Sequence, residues 1–151
     1  MIRVKIKRLS KTARLPEKMT THSAGYDIYA DLPQDFFISP KDVALIPTGF
    51  SIEIPFGYEA QIRPRSGLAI NHKIGILNSP GTIDADYRGE VKIIAFNFGD
   101  KDFIVKQDMR IAQMVFSKIE DSVLEESISL SNTERDSGGF GHTGIKINDE
   151  V

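Results

Sequence analysis

The amino-acid sequence predicts a single all-β domain, either a sandwich or a barrel. Apolar residues alternate with polar ones in several short runs, which is the pattern of strands that bury one face. Turn-forming Gly, Pro, Asn and Asp residues separate these runs at short intervals, as they do in all-β folds. The length of 151 residues is enough for one domain with its own hydrophobic core.

Six runs carry the predicted strands. In chain order they are Ile2–Lys7, Phe50–Ile54, Tyr58–Arg63, Val91–Phe96, Phe103–Val105 and Ile111–Phe116. The fourth run is apolar on both faces, so we expect it to be buried on both. Turn signals lie between the runs at Pro47–Gly49, Pro55–Gly57, Asn78–Gly81 and Gly99–Asp100.

Two segments depart from the strand pattern. The run Ser66–His72 is typical of one short helix, with Ser66 as its N-cap residue. From about Ser131 the sequence is rich in glycine and has no apolar periodicity, so it cannot bury enough surface to order itself. We therefore expect residues 1–130 to form the β-core and residues 131–151 to form a flexible C-terminal arm of the same domain.

Composition excludes several classes of protein. The formal net charge of −2 argues against non-specific binding of nucleic acid, so no nucleic-acid partner is expected. The absence of cysteine excludes disulfides, cysteine-ligated metals and a cysteine nucleophile. The first residues lack the apolar run of a signal peptide, and no stretch has membrane-spanning length. A cytoplasmic protein without a membrane partner is expected.

The segment Gly81–Glu90 is the richest in chemistry. It combines three carboxylates, an arginine and a tyrosine with two glycines, just before the run at Val91. We expect a turn that leads into a strand on a rigid scaffold. A carboxylate fixed there can accept a proton from water, and a tyrosine can lie flat beneath a sugar. The alternative is a solvated acidic turn, and this segment alone leaves both interpretations open.

The segment Arg63–Ala69 places two arginines at the predicted helix start. Backbone N–H groups at such a start bind anions, and Arg65 and Ser66 add further donors. The segment lacks Gly-Lys-Ser/Thr, so it is not a Walker-type loop. A surface turn with a capping serine is the alternative, but it leaves the arginines on both sides of Pro64 unexplained.

Two further polar residues are candidates. Asp27 follows a tight turn at Gly25, so it either caps that turn or lies near a bound cation. Gln113 lies inside an apolar strand, where most glutamines are simply hydrogen-bonded at the edge of the core.

The segment Arg135–Gly144 offers a cation, the aromatic ring of Phe140 and several amides, which suits a flap that closes on a ligand. A frayed terminus is the alternative. His22, His72 and His142 lack the spacing of metal ligands, and no Gly-x-Ser-x-Gly segment is present, so a zinc site and a serine triad are not expected. The remaining acids, arginines, amides and flap suit a metal-assisted reaction on a nucleoside polyphosphate.

These segments, taken in order, resemble the five motifs of the trimeric dUTP pyrophosphatase (dUTPase) family. The five segments are Ser23–Asp27, Arg63–Ala69, Asn78–Glu90, Arg110–Gln113 and Arg135–Gly144. The resemblance extends from about Thr21 to Gly144. Five motifs in order at fitting spacing are far more specific than any one of them.

Two positions depart from the family pattern. The family usually has Gly-Asp before the fourth motif, where this chain has Asp108-Met109, so we expect a turn of different shape. The family usually has glycine after the arginine of the last motif, where this chain has Asp136. A carboxylate beside Arg135 is expected to weaken the hold of that arginine on a terminal phosphate. Neither departure removes a residue expected to do chemistry.

The resemblance implies a jelly-roll-like β-barrel or sandwich of the β-clip type. It implies a homotrimer in which each active site is shared between subunits. It also implies Mg²⁺ as cofactor, held mainly by the phosphates of the substrate and by water, with Asp27 reaching the ion through water.

The implied reaction is hydrolysis of dUTP to dUMP and pyrophosphate, which supplies dUMP for dTTP synthesis and keeps uracil out of DNA. Asp84 would activate the water that attacks the α-phosphorus. The implied substrate-binding residues are Arg65, Ser66, Gly67, Asn78, Tyr87, Gln113, Arg135, Phe140, Gly141 and Thr143.

The resemblance also implies a place for most of these residues. The second motif, assisted by Gln113, would hold the phosphates, and Asn78 would read the uracil edge. Tyr87 would pack beneath the deoxyribose and leave no room for a 2′-hydroxyl. Phe140 would stack on uracil when the arm closes, while Arg135 and Thr143 would contact the outer phosphates.

Two alternatives remain at this point. One is an enzyme related to dCTP deaminase. Such enzymes carry Arg-Ser-Ser where this chain has Arg65-Ser-Gly67, and they carry a glutamate base facing the ring, which the second motif here lacks. The other is a catalytically inactive nucleotide-binding or protein-interaction module on the same fold. The presence of Asp84, Tyr87 and Phe140 argues against the second.

Overall fold

The computed structural model of the protein describes residues 1–140. The chain divides into two compact units, Met1–Asp121 and Ser122–Val151. Among the described residues, all strands and the helix belong to the first unit. No helix within residues 1–140 has the length and hydrophobicity needed to cross a membrane.

The first unit is all-β apart from one short helix, as the alternation predicted. In chain order its elements are β1 (Lys5–Arg8), β2 (Tyr26–Tyr29), β3 (Phe36–Ile38), β4 (Val43–Pro47), β5 (Phe50–Glu53), β6 (Tyr58–Arg63), α1 (Ser66–His72), β7 (Ile74–Ile76), β8 (Gly81–Ile83), β9 (Lys92–Asn97), β10 (Phe103–Val105) and β11 (Arg110–Lys118).

The strands form two sheets and two ribbons. One sheet has the order β2-β11-β6-β8, and the other has the order β4-β9-β7. The ribbons are β1 paired with β5 and β10 paired with β3. Gln113 on β11 lies opposite Asp27 on β2 and opposite Arg63 on β6, so these three positions form one row across the four-stranded sheet.

The core is built from alternate residues of both sheets. Ile46 and Ile93, a cross-strand pair of β4 and β9, are fully buried, and so is Ile28 on β2. Burial of each such side chain stabilises the fold by roughly 1.5–3 kcal/mol. Residues of both sheets belong to one hydrophobic cluster, so a single core fixes the two sheets relative to each other.

Each predicted run contains a strand, although β1 begins at Lys5 rather than at Ile2. Five strands were not predicted, namely β2, β3, β4, β7 and β8. The reason is clear in β4, where the outward-facing Val43 and Leu45 are as apolar as the buried Ala44 and Ile46. Without alternating polarity the run carries no period-two signal.

The prediction that β9 is buried on both faces was wrong for one face. Ile93 and Ala95 are buried, whereas Ile94 and Phe96 are only half-buried. Ile94 pairs with Leu45 and Phe96 pairs with Val43 of β4. The result is an apolar outer face on the three-stranded sheet, defined by these four residues.

The predicted helix is present, but Ser66 is not its N-cap. The N-cap is Arg65, which has an extended backbone (φ −94°, ψ 128°) and whose carbonyl accepts a hydrogen bond from the Ala69 N–H at 3.0 Å. Ser66 is therefore the first helical residue, and no side chain of the described residues caps the start of the helix. The donors at the helix start thus remain available to a ligand.

The two departures from the family pattern share a backbone feature. Asp108 has φ +61° and Asp136 has φ +41°, both in the left-handed region. Glycine adopts this region at no steric cost, which explains physically why it is usual at these positions, and aspartate tolerates it. At Asp108 the turn before β11 therefore has a conformation that glycine adopts readily, and a turn of different shape remains a prediction.

A polar cluster around Asp31 joins the N-terminal segment to the turn between β4 and β5. The carboxylate accepts hydrogen bonds from the Ser10 hydroxyl, from the Thr12 hydroxyl at 2.7 Å and from the Gln107 amide at 3.2 Å. Gly49, at φ +68°, has no room for a side chain because an added Cβ would overlap the Asp31 carboxylate. Burial raises the pKa of Asp31, but the three hydrogen bonds outweigh it and hold that pKa below its ordinary value.

Asp31→Asn is expected to reduce stability at neutral pH but much less in acid. Because the folded pKa lies below the unfolded value of about 3.9, the carboxylate stabilises the fold above that value. The contribution is lost as the pH falls through the folded pKa. At neutral pH we expect the free energy of unfolding of wild type to be about 1–2 kcal/mol larger than that of the variant. Urea unfolding at neutral pH and at about pH 3 measures the difference, and a difference independent of pH would contradict this role.

The second unit is described from Ser122 to Phe140, and these residues contain no helix or strand. Arg135 Nε donates to the Gly138 carbonyl at 2.9 Å, and the Gly138 N–H donates to the Arg135 carbonyl at 2.8 Å, which closes a small turn. The expected arm of residues 131–151 remains a prediction. Its substrate-binding positions Gly141 and Thr143 lie outside the described residues.

Candidate active site

The loop that carries Asp84 and Tyr87 connects the two sheets. It leaves β8 in the four-stranded sheet after Ile83 and enters β9 in the three-stranded sheet at Lys92. Because both sheets pack on one core, the loop is anchored at both ends, as its sequence predicted. It borders a cleft of about 320 Å³, here called the Asp84 cleft, which is lined by residues of both sheets.

Asp84 lines this cleft with an exposed side chain. Within residues 1–140 no hydrogen bond or ion pair engages its carboxylate. Its neighbour in the loop, Asp86, is also exposed but does not line the cleft. A carboxylate at the wall of a cleft and without a partner is able to hold a water molecule and accept its proton.

Tyr87 is fixed by its own loop. Its hydroxyl donates to the Glu90 carbonyl at 3.0 Å, and its N–H donates to the Asp84 carbonyl at 3.2 Å. Gly89 passes directly beneath the ring, where an added Cβ would lie 2.5 Å from Tyr87 Cζ and nearer still to the hydroxyl. The side chain remains 46% exposed. Tyr87 therefore presents a fixed aromatic surface to the Asp84 cleft.

Asn78 lines the same cleft but precedes β8, whereas Asp84 follows that strand. A Cβ on Gly81, the first residue of β8, would lie 3.0 Å from the Asn78 side-chain nitrogen. The glycine thus leaves room for the amide beside the strand. The third predicted motif therefore brings an amide, a carboxylate and an aromatic ring to one cleft.

A second group forms around Asp27 on β2. Arg65 Nε donates to Asp27 Oδ1 at 3.3 Å, and Arg65 Nη2 lies 3.2 Å from Asp27 Oδ2. Arg110 Nη1 donates to the same Oδ2 at 3.1 Å. Arg65 Nη1 also donates to the Arg110 carbonyl at 3.0 Å. These three residues are here called the Asp27 cluster. The Asp27 side chain is only 13% exposed, so it acts as an anchor that orients two guanidinium groups.

Gln113 supports this cluster from the neighbouring strand. Its side-chain amide donates to the Pro64 carbonyl at 2.9 Å, which fixes the backbone just before Arg65. Gly25 faces the same side chain, and an added Cβ there would lie 3.3 Å from Gln113 Cβ and closer to its Oε1. Gln113 therefore holds the second motif in place, and its expected contact with phosphate remains a prediction.

Ser66 and Gly67 are exposed at the start of α1, and the helix buries none of its residues. An added Cβ on Gly67 would meet no atom of residues 1–140 within 4 Å. Packing within this described part of the chain therefore does not require glycine at that position. Free backbone donors and a missing side chain together allow an anion to approach the backbone closely.

The chain offers no protein-ligated metal centre in the part that the structure describes, where no three His, Cys, Asp or Glu groups cluster. Both oxygens of Asp27 already accept hydrogen bonds from arginine. These residues therefore do not fit a resident magnesium ion bound directly by side chains. An ion that arrives with the phosphates of a nucleotide is compatible with them, and the contact of Asp27 with Mg²⁺ through water remains a prediction.

Asp84 and the Asp27 cluster lie toward opposite ends of the four-stranded sheet. Ile83, the residue before Asp84, lies opposite Ala60 on β6. Ala60 and Arg63 are separated by roughly 10 Å along that strand, at about 3.3 Å per residue. Asp84 and Arg65 lie beyond these positions in opposite directions. One chain therefore does not bring the carboxylate and the guanidinium together.

Sequence reasoning missed two residues of these groups. Arg110 was read only as the start of a motif, yet it is the second cation on Asp27. Glu90 was read only as one of three acids, yet its side chain accepts hydrogen bonds from the backbone of Thr48 and Gly49. The only signal for Arg110 was its place at the start of the fourth motif, and the sequence carried no signal for the hydrogen bonds of the Glu90 side chain.

Comparison with known proteins adds to this geometry. A sequence profile of the dUTPase family matches residues 11–144 of the chain. A deoxyuridine 5′-triphosphate nucleotidohydrolase of Rickettsia rickettsii (strain Sheila Smith) is 56% identical over 143 residues, which are 94% of this chain and 97% of the relative.

Solved structures show the same fold. A mutant dUTPase of Staphylococcus bacteriophage 80alpha with dUpNHpp has a TM-score of 0.87 at 27% identity, with 95% of this chain and 99% of that chain covered. A mutant dUTPase of phage phi11 of S. aureus, described with a structural Mg(II) ion, has a TM-score of 0.78 at 23% identity and coverage of 86% and 99%. The expected jelly-roll-like fold is confirmed. Sequence profile, identity and fold agree with the five motifs, and the chain belongs to the dUTPase family.

Proposed function

We propose that the protein hydrolyses dUTP to dUMP and pyrophosphate, supplying dUMP for dTTP synthesis and removing dUTP from the DNA precursors. The observation that carries this proposal is the Asp84 cleft, in which a carboxylate without a partner among residues 1–140 lies beside an amide and a fixed aromatic ring. The Rickettsia relative is named for this reaction, and the phage 80alpha enzyme holds the analogue dUpNHpp.

Asp84 acts as the general base. It accepts a proton from water as the water oxygen forms a bond to the α-phosphorus. The bond from the α-phosphorus to the oxygen that bridges it to the β-phosphorus breaks, and pyrophosphate leaves with the bond electrons. Asn78 reads the uracil edge, and Tyr87 packs beneath the deoxyribose.

The Asp27 cluster prepares the phosphate site. Arg65 is held by Asp27, so its guanidinium is oriented before substrate arrives and loses little freedom on binding. Ser66 and the Gly67 N–H, with Gln113 behind them, complete the contacts to phosphate. A magnesium ion carried by the phosphates of the substrate would supply neutralisation of their charge.

Two features support a homotrimer with shared active sites. Asp84 and the Asp27 cluster lie toward opposite ends of one sheet, so a second copy has to bring the guanidinium groups to each Asp84. The apolar outer face of Val43, Leu45, Ile94 and Phe96 offers a surface that such a copy would cover. The arm, residues 131–151, then closes over the nucleotide with Arg135, Phe140, Gly141 and Thr143.

Tyr87→Ala is expected to narrow the preference for dUTP over UTP. Loss of the ring opens the space that a 2′-hydroxyl would occupy, so kcat/KM for UTP should rise relative to that for dUTP, by about tenfold for a single lost contact of this kind. Phe56→Ala, which removes an exposed ring outside the cleft, is the control and should keep the wild-type ratio. An unchanged ratio in Tyr87→Ala would place sugar selection elsewhere.

Incubation of the pure protein with each deoxynucleoside triphosphate tests the proposed function. Release of pyrophosphate from dUTP, and from no other nucleotide at a comparable rate, is the expected result. Release of ammonia from dCTP would instead identify a deaminase. Binding of dUTP without turnover would identify an inactive nucleotide-binding module.

A further inference from the structure

We propose that Glu90 is a positioning residue for sugar selection, which it exerts by fixing Tyr87 against the core. The inference rests on the proposed function, because it assumes that the ring of Tyr87 lies beneath the deoxyribose. It assigns a role to a carboxylate that takes no part in the chemistry described above.

Glu90 is anchored to a buried turn. Its Oε1 accepts hydrogen bonds from the Gly49 N–H at 2.9 Å and the Thr48 N–H at 3.2 Å. Its Oε2 lies 3.5 Å from Lys92 Nζ, and its side chain is 23% exposed. Thr48 and Gly49 are both buried, so without Glu90 two backbone donors would lose their partner.

The turn that receives Glu90 is itself rigid. Thr48 Oγ1 donates to the Val91 carbonyl at 2.5 Å, next to Glu90 in the chain. The Gly49 carbonyl accepts the Leu9 N–H at 2.7 Å, and Gly49 packs against the Asp31 carboxylate. The carboxylate of Glu90 is therefore tied to a part of the fold that is fixed on several sides.

The backbone carbonyl of Glu90 connects this rigid turn to the ring of Tyr87. The Tyr87 hydroxyl donates to the Glu90 carbonyl at 3.0 Å, so the ring follows the position of the Glu90 peptide. Gly89 lies between the two residues and leaves no space for the ring to settle lower. Release of the Glu90 side chain should let the peptide shift and the ring tilt away, which would make room for a 2′-hydroxyl.

Two substitutions separate the effect of the length of the Glu90 side chain from the effect of its charge. Glu90→Asp keeps the charge but is one methylene too short to reach the turn, and Glu90→Gln keeps the length and an accepting oxygen. We expect Glu90→Asp to narrow the dUTP-over-UTP ratio of kcat/KM by about tenfold, comparable to the loss of one substrate contact. Glu90→Gln should stay within about twofold of wild type, because it preserves both backbone hydrogen bonds.

A double variant tests the route through Tyr87. If Glu90 acts by way of the ring, Glu90→Asp should add no further loss of selectivity to Tyr87→Ala. Glu53→Asp is the control, since Glu53 pairs with Lys5 on β1 at 2.8 Å, outside the Asp84 cleft. Thermal unfolding of every variant confirms that the ratios are measured on folded protein.

The outcomes distinguish this inference from the proposed function. If wild type releases no pyrophosphate from dUTP, the proposed function is wrong and the inference fails with it. If wild type is active and Tyr87→Ala narrows the ratio, but Glu90→Asp keeps the wild-type ratio, only the inference is overturned. Additive losses of dUTP-over-UTP selectivity in the Glu90→Asp/Tyr87→Ala double variant would also overturn the inference, because they would show that Glu90 acts on selectivity independently of Tyr87.

Discussion

Replacement of Asp84 by asparagine is expected to lower kcat for dUTP by about 10²–10⁴-fold, the usual contribution of a general base. The amide has the same shape but cannot accept a proton from water. Binding should change little, because the phosphates and the uracil are held by other residues. Steady-state pyrophosphate release measures kcat, and titration with dUpNHpp measures binding without turnover.

Asp86→Asn is the matched control for Asp84→Asn. It removes the same charge from the same loop, at an exposed position that does not line the Asp84 cleft. The control should keep kcat near the wild-type value. Equal losses of kcat in the two variants would indicate a general effect of charge. A kcat near the wild-type value in Asp84→Asn would show that Asp84 is not the general base.

Truncation after Leu130 is expected to leave a folded trimer with little activity. Every strand of the described chain ends by Lys118, so the core and its sheets do not require the deleted residues. The lost arm contains Arg135, Phe140 and Thr143, which should exclude water and align the triphosphate. A loss in kcat/KM on the order of 10²-fold is expected from misplacement of the reacting groups alone.

Phe140→Ala should reproduce part of this loss, because stacking on a base contributes about 1–3 kcal/mol. Phe56→Ala removes another exposed phenylalanine, from the turn after β5, and should have no effect on kcat/KM. Sizing by light scattering and steady-state kinetics measure both consequences of the truncation. Full activity without the arm, or dissociation into monomers, would contradict the assignment of the arm as a flap.

The fold class could be predicted from the sequence because some strands bury one face only. In β6 the buried Ala60 and Ile62 alternate with more exposed residues, so the polarity of each residue indicates which face of the strand it lies on. In β4 the outer face is apolar as well, and the signal disappears. An outer face as apolar as the core cannot be told from the core by sequence, which is why β4 was not predicted and why β9 was predicted to be buried on both faces.

The candidate site was predicted as a set of motifs but not as a set of contacts. Arg65 and Arg110 lie 38 and 83 positions from Asp27 in the chain, so only the folded sheet brings them to one carboxylate. The sequence left open whether Asp27 caps a turn or lies near a bound cation, and it did not indicate the two arginines that the structure places on its carboxylate. Local sequence also could not show which residue caps α1, because the carbonyl of Arg65 rather than the hydroxyl of Ser66 closes the first turn.

The position of a heavy-oxygen label tests the central claim most directly. Hydrolysis of dUTP by the full chain in H₂¹⁸O, followed by mass analysis of both products, shows which phosphorus water attacks. Because water activated by Asp84 attacks the α-phosphorus, we predict one labelled oxygen in dUMP and none in pyrophosphate. Label in pyrophosphate, or in a product other than dUMP, would contradict the account.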